Sequence, residues 1–250
     1  HRTLRNALLA LSLSAGLLLA SAAAASSSAQ VSPDEQDPRK IMEALDARDD
    51  GDKASGRMKM TITDASGSER ERIVQTRGMD FPGEAKQLII FESPADVRNT
   101  GLLTVDYDDG SKVDDQWLYL PAMRKTTRIA SSAKSGPFMG SDLSFADMTS
   151  QSPDQYDFTM LDANATVGSE ACWKIETRPR TQKSKDETGY VKSHVWVSKE
   201  KMMPVQAKNW VREGKKIKLM KFGNIKKVDG IWVAHKISAR TKQSSKTLST

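Results

Sequence analysis

The chain has 250 residues, a net charge of +6 and one cysteine, Cys172, which excludes an internal disulfide. The charge is uneven. Val31 to Glu170 holds 16 basic and 26 acidic residues, whereas Ala171 to Thr250 holds 20 basic and 6 acidic ones. An acidic front and a basic back predict either lysines that solvate outer strand faces or a sector that meets an anionic membrane, lipid headgroups or an acidic partner.

The chain opens with Arg2 and Arg5, an almost wholly apolar run from Leu4 to Ala20, and then alanines and serines. This three-part order predicts an export signal over residues 1–25, cleaved after Ala25, with Ala24 and Ala29 as alternatives. The apolar run is short for a membrane span, which needs about 20 residues, and no later run approaches that length. Export makes a nucleic-acid role a poor fit and places the mature chain in the periplasm. With no cysteine near the cleavage region, the protein is not expected to carry a lipid anchor itself. Residues 26–38 form a polar linker, and 39–250 are long enough to bury one core as a single domain.

"PRKIMEALDARDDG" predicts a short amphipathic helix with Ile41, Met42 and Leu45 on its apolar face, Pro38 at its start and Gly51 at its end. After it the period changes to two. "RMKMTITD", "KQLIIFES", "TGLLTVDY" and "QWLYLP" predict strands, with turns at "SPADVRN" and "DDGSKVDD". Residues 135–148, "SGPFMGSDLSFADM", are different: Phe138, Met139, Leu143, Phe145 and Met148 sit among glycines and serines. The segment is either a plug over an ordinary core or a movable cover over something apolar. Asp142 is a candidate N-cap for a single helical turn.

Strands resume with "YDFTMLD", "EACWKIETR", "GYVKSHVWVS", "PVQAKNWVRE", "KKIKLMKFG" and "IWVAHKIS", parted by "ANATVGS", "SKEKMM", "EGKK" and "KKVDG". Connections this short require antiparallel neighbours. About ten or eleven strands with at most two helical segments predict a mainly β, strongly curved antiparallel sheet or an incompletely closed barrel. "KTLST" begins another alternation that stops at Thr250, which reads either as a final strand cut short or as a frayed tail. Along the inward parity, Met58, Met60, Leu118, Leu120, Trp173, Ile175, Val195, Val197, Val211, Ile231 and Val233 are expected to line one concave surface, as a packed core or as the wall of a cavity. Eleven methionines suit a wall that repacks around varied apolar ligands.

The block "DDQWLYLPAMRKTTRIASSAKSGPFMGSDLSFADM" (114–148), supported by "FESPADVRNTGLLT" (91–104) and "DGIWVAHKI" (229–237), resembles the outer-membrane lipoprotein-sorting proteins of the periplasmic lipoprotein-carrier superfamily, the LolA- and LolB-like proteins. The resemblance covers roughly Arg57 to Arg240. It implies an eleven-stranded open barrel lidded by helices, with acyl chains held in a hydrophobic cavity and the 138–148 segment acting as a lid. It also implies cargo moving between inner and outer membranes, with a resistance-nodulation-division exporter as a partner. Beside the lid, Arg124, Lys125 and Arg128 are candidates to meet a headgroup phosphate or an acidic partner.

Catalytic patterns are missing from the sequence: it has no H-E-x-x-H, no cysteine pair and no G-x-S-x-G. No metal, cofactor or enzymatic activity is expected. His235, on the parity of Ile231 and Val233, is expected in the core, and Cys172 as a buried, inert thiol. "DYDDGSKVDD" is expected to be an exposed acidic hairpin, because it lacks the ligand order of a calcium loop. Two readings remain: a monomeric lipid carrier that touches membranes transiently, and a periplasmic adaptor with a filled core that works through its charged surface.

Overall fold

The computed structural model describes residues 31–212 and 216–243; the expected export signal and the "KTLST" segment lie outside them. The described chain starts with α1 (Pro38–Asp46), in which Asp37 caps the N-terminus by accepting from the Arg39 amide and Pro38 occupies the first turn. The helix stops at Asp46, with Ala47 as its C-cap. Gly51, expected at the helix end, instead takes a positive φ of 87° in the connection to the first strand.

Twelve strands follow. β1 (Lys53–Thr63), β2 (Glu69–Phe81), β3 (Glu84–Ser93), β4 (Gly101–Tyr107), β5 (Asp115–Leu120) and β6 (Lys125–Arg128) pair consecutively in one antiparallel sheet. β7 (Tyr156–Val167), β8 (Glu170–Pro179), β9 (Tyr190–Ser198), β10 (Pro204–Val211), β11 (Lys216–Val228) and β12 (Ile231–Gln243) form a second. The architecture is mainly β and not closed, an open antiparallel barrel. All ten strands marked by alternation are present, and β2 and β6 are additional. "ANATVGS" is largely strand rather than turn, because β7 runs on to Val167 and reverses at Gly168, φ 62°. Between β8 and β9 stands an unexpected helix, α2 (Gln182–Thr188), capped by Thr181 and ended by Gly189, φ 74°.

Strand alternation gives each sheet an inner and an outer face. On the first sheet's inner face Val74, Ile89, Phe91 and Leu102 are buried against the 138–148 segment. On the second, Trp173, Ile175 and Val197 are fully buried against Ile41 of α1. The Trp173 indole N–H donates to the Glu35 carbonyl at 3.0 Å, fixing the chain that leads into α1. Each sheet is therefore covered by its own plug, and the two plugs bury different residues.

Candidate functional site

The segment after β6 folds as a tight hairpin. Pro137 bridges Ser144, the Phe138 amide donates to the Leu143 carbonyl at 2.6 Å, and Met139 and Gly140 turn the chain at φ 50° and 73°. A 3-10 turn, Phe145–Met148, follows. Its cap is Ser144, not Asp142: the Ser144 hydroxyl accepts from the Asp147 amide while the Asp147 carboxylate accepts from the Ser144 amide at 2.7 Å. Phe138 is only 3% exposed, tilted against Phe91 at 5.9 Å and edge-on to Phe145 at 5.6 Å. Met139, Leu143, Phe145 and Met148 pack on the same cluster. All five apolar side chains singled out in this segment therefore meet on the first sheet's inner face.

Polar anchors from both sheets hold this segment. Arg72 of β2 donates to the Met139 carbonyl at 2.6 Å, with its guanidinium over the Phe91 ring at 5.7 Å. Gln116 of β5 donates to the Phe145 carbonyl at 2.8 Å. From the second sheet, the Tyr190 hydroxyl and the Lys218 ammonium both donate to Asp147, each at 2.7 Å. Lys218 and Asp147 form a buried ion pair, and Lys218 also lies over the Tyr190 ring at 5.1 Å. Burial and then the Asp147 charge push the Tyr190 phenol up, so it stays a donor. Asp147 thus ties the lid's turn to the opposite sheet.

The eleven expected lining residues divide between the sheets. Trp173, Ile175 and Val197 meet in the α1 cluster, with Val195 at its edge. Met60 packs with the lid cluster. Leu118, Leu120 and Val211 are half-buried, as is Ile231, whose Cδ1 closes over Gly51. Met58 is 48% exposed and Val233 39% exposed. Register puts Met58 opposite Val74 and Ile237 opposite Phe222, on the inner faces of β1 and β12. Ile237 is 54% exposed. Beyond the two plugs, then, apolar side chains on both inner faces meet solvent.

Arg124, Lys125 and Arg128 are exposed but do not form one patch. Pairing of Leu120 with Lys125 and of Trp117 with Arg128 sends the latter two to opposite faces, and Arg128 is bound to Asp115. His235 is exposed, not a core histidine: it shares a face of β12 with Val233 and Ile237, which are exposed too. Cys172 is buried, with burial pushing its thiol up to about 11. The "DYDDGSKVDD" hairpin is exposed only at its tip. Asp106 and Asp114 are half-buried in an acidic cleft of about 390 Å³ with Asp46, Asp80, Glu84 and Glu187. Burial, then the Asp114 charge, outweighs the Ser150 amide and raises Asp106 to about 7. Among the described residues, no group of three or more histidine, cysteine or carboxylate side chains is placed to hold a metal.

Outside the lid, the first sheet's outer face bears a shallow apolar groove of about 430 Å³, lined by Leu88, Leu103, Trp117 and Tyr119. Sequence reading missed Arg72, Gln116, Tyr190 and Lys218. The available signal was parity: Arg72 alternates with Val74, and Lys218 with Met220 and Phe222, so each is a cation on an apolar face.

The architecture is an open antiparallel barrel whose apolar inner faces are packed by α1 and the 138–148 segment, and solved structures share this fold. A family model described only as an uncharacterized protein matches residues 83–250. A structure titled an outer membrane lipoprotein-sorting protein domain, from Vibrio parahaemolyticus, is 30% identical with a TM-score of 0.74, covering 82% of this chain and 85% of that one. A DUF1329 family protein from Desulfovibrio piger is 28% identical with a TM-score of 0.75, over 82% and 87%. A LolA superfamily protein from Nitrosomonas europaea, at 18% identity and a TM-score of 0.62 over 83% and 87%, shares the fold. No curated protein matches in sequence. The chain belongs to the outer-membrane lipoprotein-sorting protein family. Among the described residues, no helix is long and apolar enough to cross a membrane.

Proposed function

We propose that the protein is a periplasmic carrier that shields the acyl chains of a lipid or lipoprotein between the inner and outer membranes. Met58, Val233 and Ile237, left exposed on the inner faces beside the plugs, carry this reading. Solvating an acyl chain costs roughly 0.8 kcal/mol per methylene, so a carrier must offer apolar surface that solvent does not otherwise fill. The uncovered inner stretch is the entry. The lid, held at its turn by Asp147 and at its tip by Arg72, is the part that yields as a chain slides in. The family resemblance adds export to the periplasm, work as a monomer, and a resistance-nodulation-division exporter as partner.

The burial of Ile41 and Phe138 favours a second reading, an adaptor whose inner faces are a finished core. Binding of an apolar fluorescent probe separates the two. For a carrier, Ile237→Asp lowers probe affinity on the order of tenfold with little loss of stability, since the residue is exposed. Phe138→Ser with Met139→Ser weakens binding further. A protein that binds no probe, or whose affinity ignores Ile237→Asp, is the adaptor.

A further inference from the structure

The outer face of the second sheet concentrates tryptophan and lysine. Three of the chain's five tryptophans lie on it, each beneath ammonium groups. Lys174 lies over Trp196 at 5.1 Å; Lys192 and Lys208 lie over Trp210 at 4.8 and 4.6 Å; Lys201 and Lys227 lie over Trp232 at 5.4 and 5.1 Å. Register places Lys221 of β11 opposite Ser238, and Arg240 opposite Leu219, so the lysine and arginine share this face, and Lys236 lies on the same parity of β12. All three are exposed.

The two carboxylates that β8 contributes here neutralise only part of this charge, each held by cations of the same face. Glu176 is bound by Lys192, His194 and Arg178 at 2.8, 2.9 and 2.6 Å, and Glu170 by Lys201 and Ser198. Burial would raise the Glu176 carboxyl, but hydrogen bonds from Lys192, His194 and Arg178 hold it down at about 2.

We infer that this face docks the protein onto an anionic bilayer surface, with the lysines and arginine on lipid phosphates and the half-exposed edges of Trp196 and Trp232 at headgroup depth. Charge complementarity selects the partner. Basic side chains are spread over five neighbouring strands, which at about 4.8 Å per strand is a sheet roughly 20 Å wide rather than a pocket. Lysine is depleted at protein–protein interfaces, and such interfaces centre on exposed apolar anchors. Here the large apolar side chains lie under lysines instead. A fluid layer of phosphates suits dispersed ammonium groups, and tryptophan favours the headgroup zone. The inference rests on the carrier reading for the choice of a membrane as target, and it adds the face that meets it.

The test is sedimentation of the exported protein, purified without detergent, with vesicles of equal parts phosphatidylglycerol and phosphatidylcholine, and with phosphatidylcholine alone. The expected result is binding to the anionic vesicles only, weakening as salt rises. With each basic residue worth about 1 kcal/mol near such a surface, Lys221→Glu, Lys236→Glu and Arg240→Glu together lower affinity at least about 100-fold. The matching glutamine triple, which adds no repulsion, loses less. Thermal midpoint and acyl-probe binding stay at the unmodified level in both. No binding to anionic vesicles at low salt, or equal binding by the glutamate triple, overturns the inference. So does capture of an acidic protein through this face by a chain that ignores vesicles. Loss of probe binding alone, with vesicle binding intact, counts against the carrier reading and leaves the docking face standing.

Discussion

Asp106 near the end of β4 and Asp114 just before β5 are neighbouring carboxylates in the acidic cleft. Burial, then the neighbouring carboxylate, lifts Asp106 from 3.8 to about 7, so its folded pKa exceeds its unfolded one. The protonated form is the one the fold prefers. Its contribution is therefore complete below about pH 4 and is lost as pH rises through 7. Asp106→Asn keeps an acceptor for the Ser150 amide, which donates to Asp106 at 3.3 Å, and removes the charge. The variant should melt several degrees higher near pH 8, at about 2–4 °C per kcal/mol, and at an unchanged temperature near pH 4. A gain of the same size at both pH values contradicts the coupling. Asp147 poses the opposite problem, since its charge is buried and shared by Lys218, Tyr190 and the Ser144 amide. Lys218→Met alone leaves that carboxylate without its cation and should cost about 3–5 kcal/mol. Adding Asp147→Asn should restore part of the loss. A double variant whose loss equals the sum of the singles shows that the two groups do not interact.

At the scale of elements, the strands with apolar alternation were legible, and the polar ones were not. β2 begins Glu-Arg-Glu-Arg, a run that reads as a charged turn, yet Arg72 points inward to hold the lid and Val74 enters the core. β6 is four exposed residues, a short charged edge too brief to carry a period. α2 had its Thr cap and terminal glycine in plain view, but "QKSKDET" offers no apolar stripe to weigh them against. The lid segment was legible as a cluster because five large apolar side chains fall within eleven residues. Its anchors were not, since Arg72, Tyr190 and Lys218 join it across roughly 40 to 70 residues of chain. Parity assigned faces correctly on β8 and β9, where Trp173, Ile175 and Val197 are buried. It could not say that, among the described residues, nothing covers this face of β12, which is why His235 and Val233 meet solvent.

At the scale of the molecule, two six-stranded meanders are each plugged from inside and joined through the lid. The division of charge along the sequence becomes a division in space. The acidic half supplies the first sheet, β7 and most of the 390 Å³ cleft, and the basic half supplies β8 to β12, with their tryptophan- and lysine-rich outer face. Such a polarity suits a molecule that presents one side to an anionic surface while its apolar interior receives cargo. The carrier account stands or falls on that interior holding lipid. Mass spectrometry of an organic extract, from protein purified without detergent out of its native periplasm and compared with a mock purification, tests this most directly. The account predicts one lipid class recovered repeatedly in near-stoichiometric amount, and recovered in lower amount from Ile237→Asp. Extracts no richer in lipid than the mock, from a protein that also refuses an apolar probe, would contradict it.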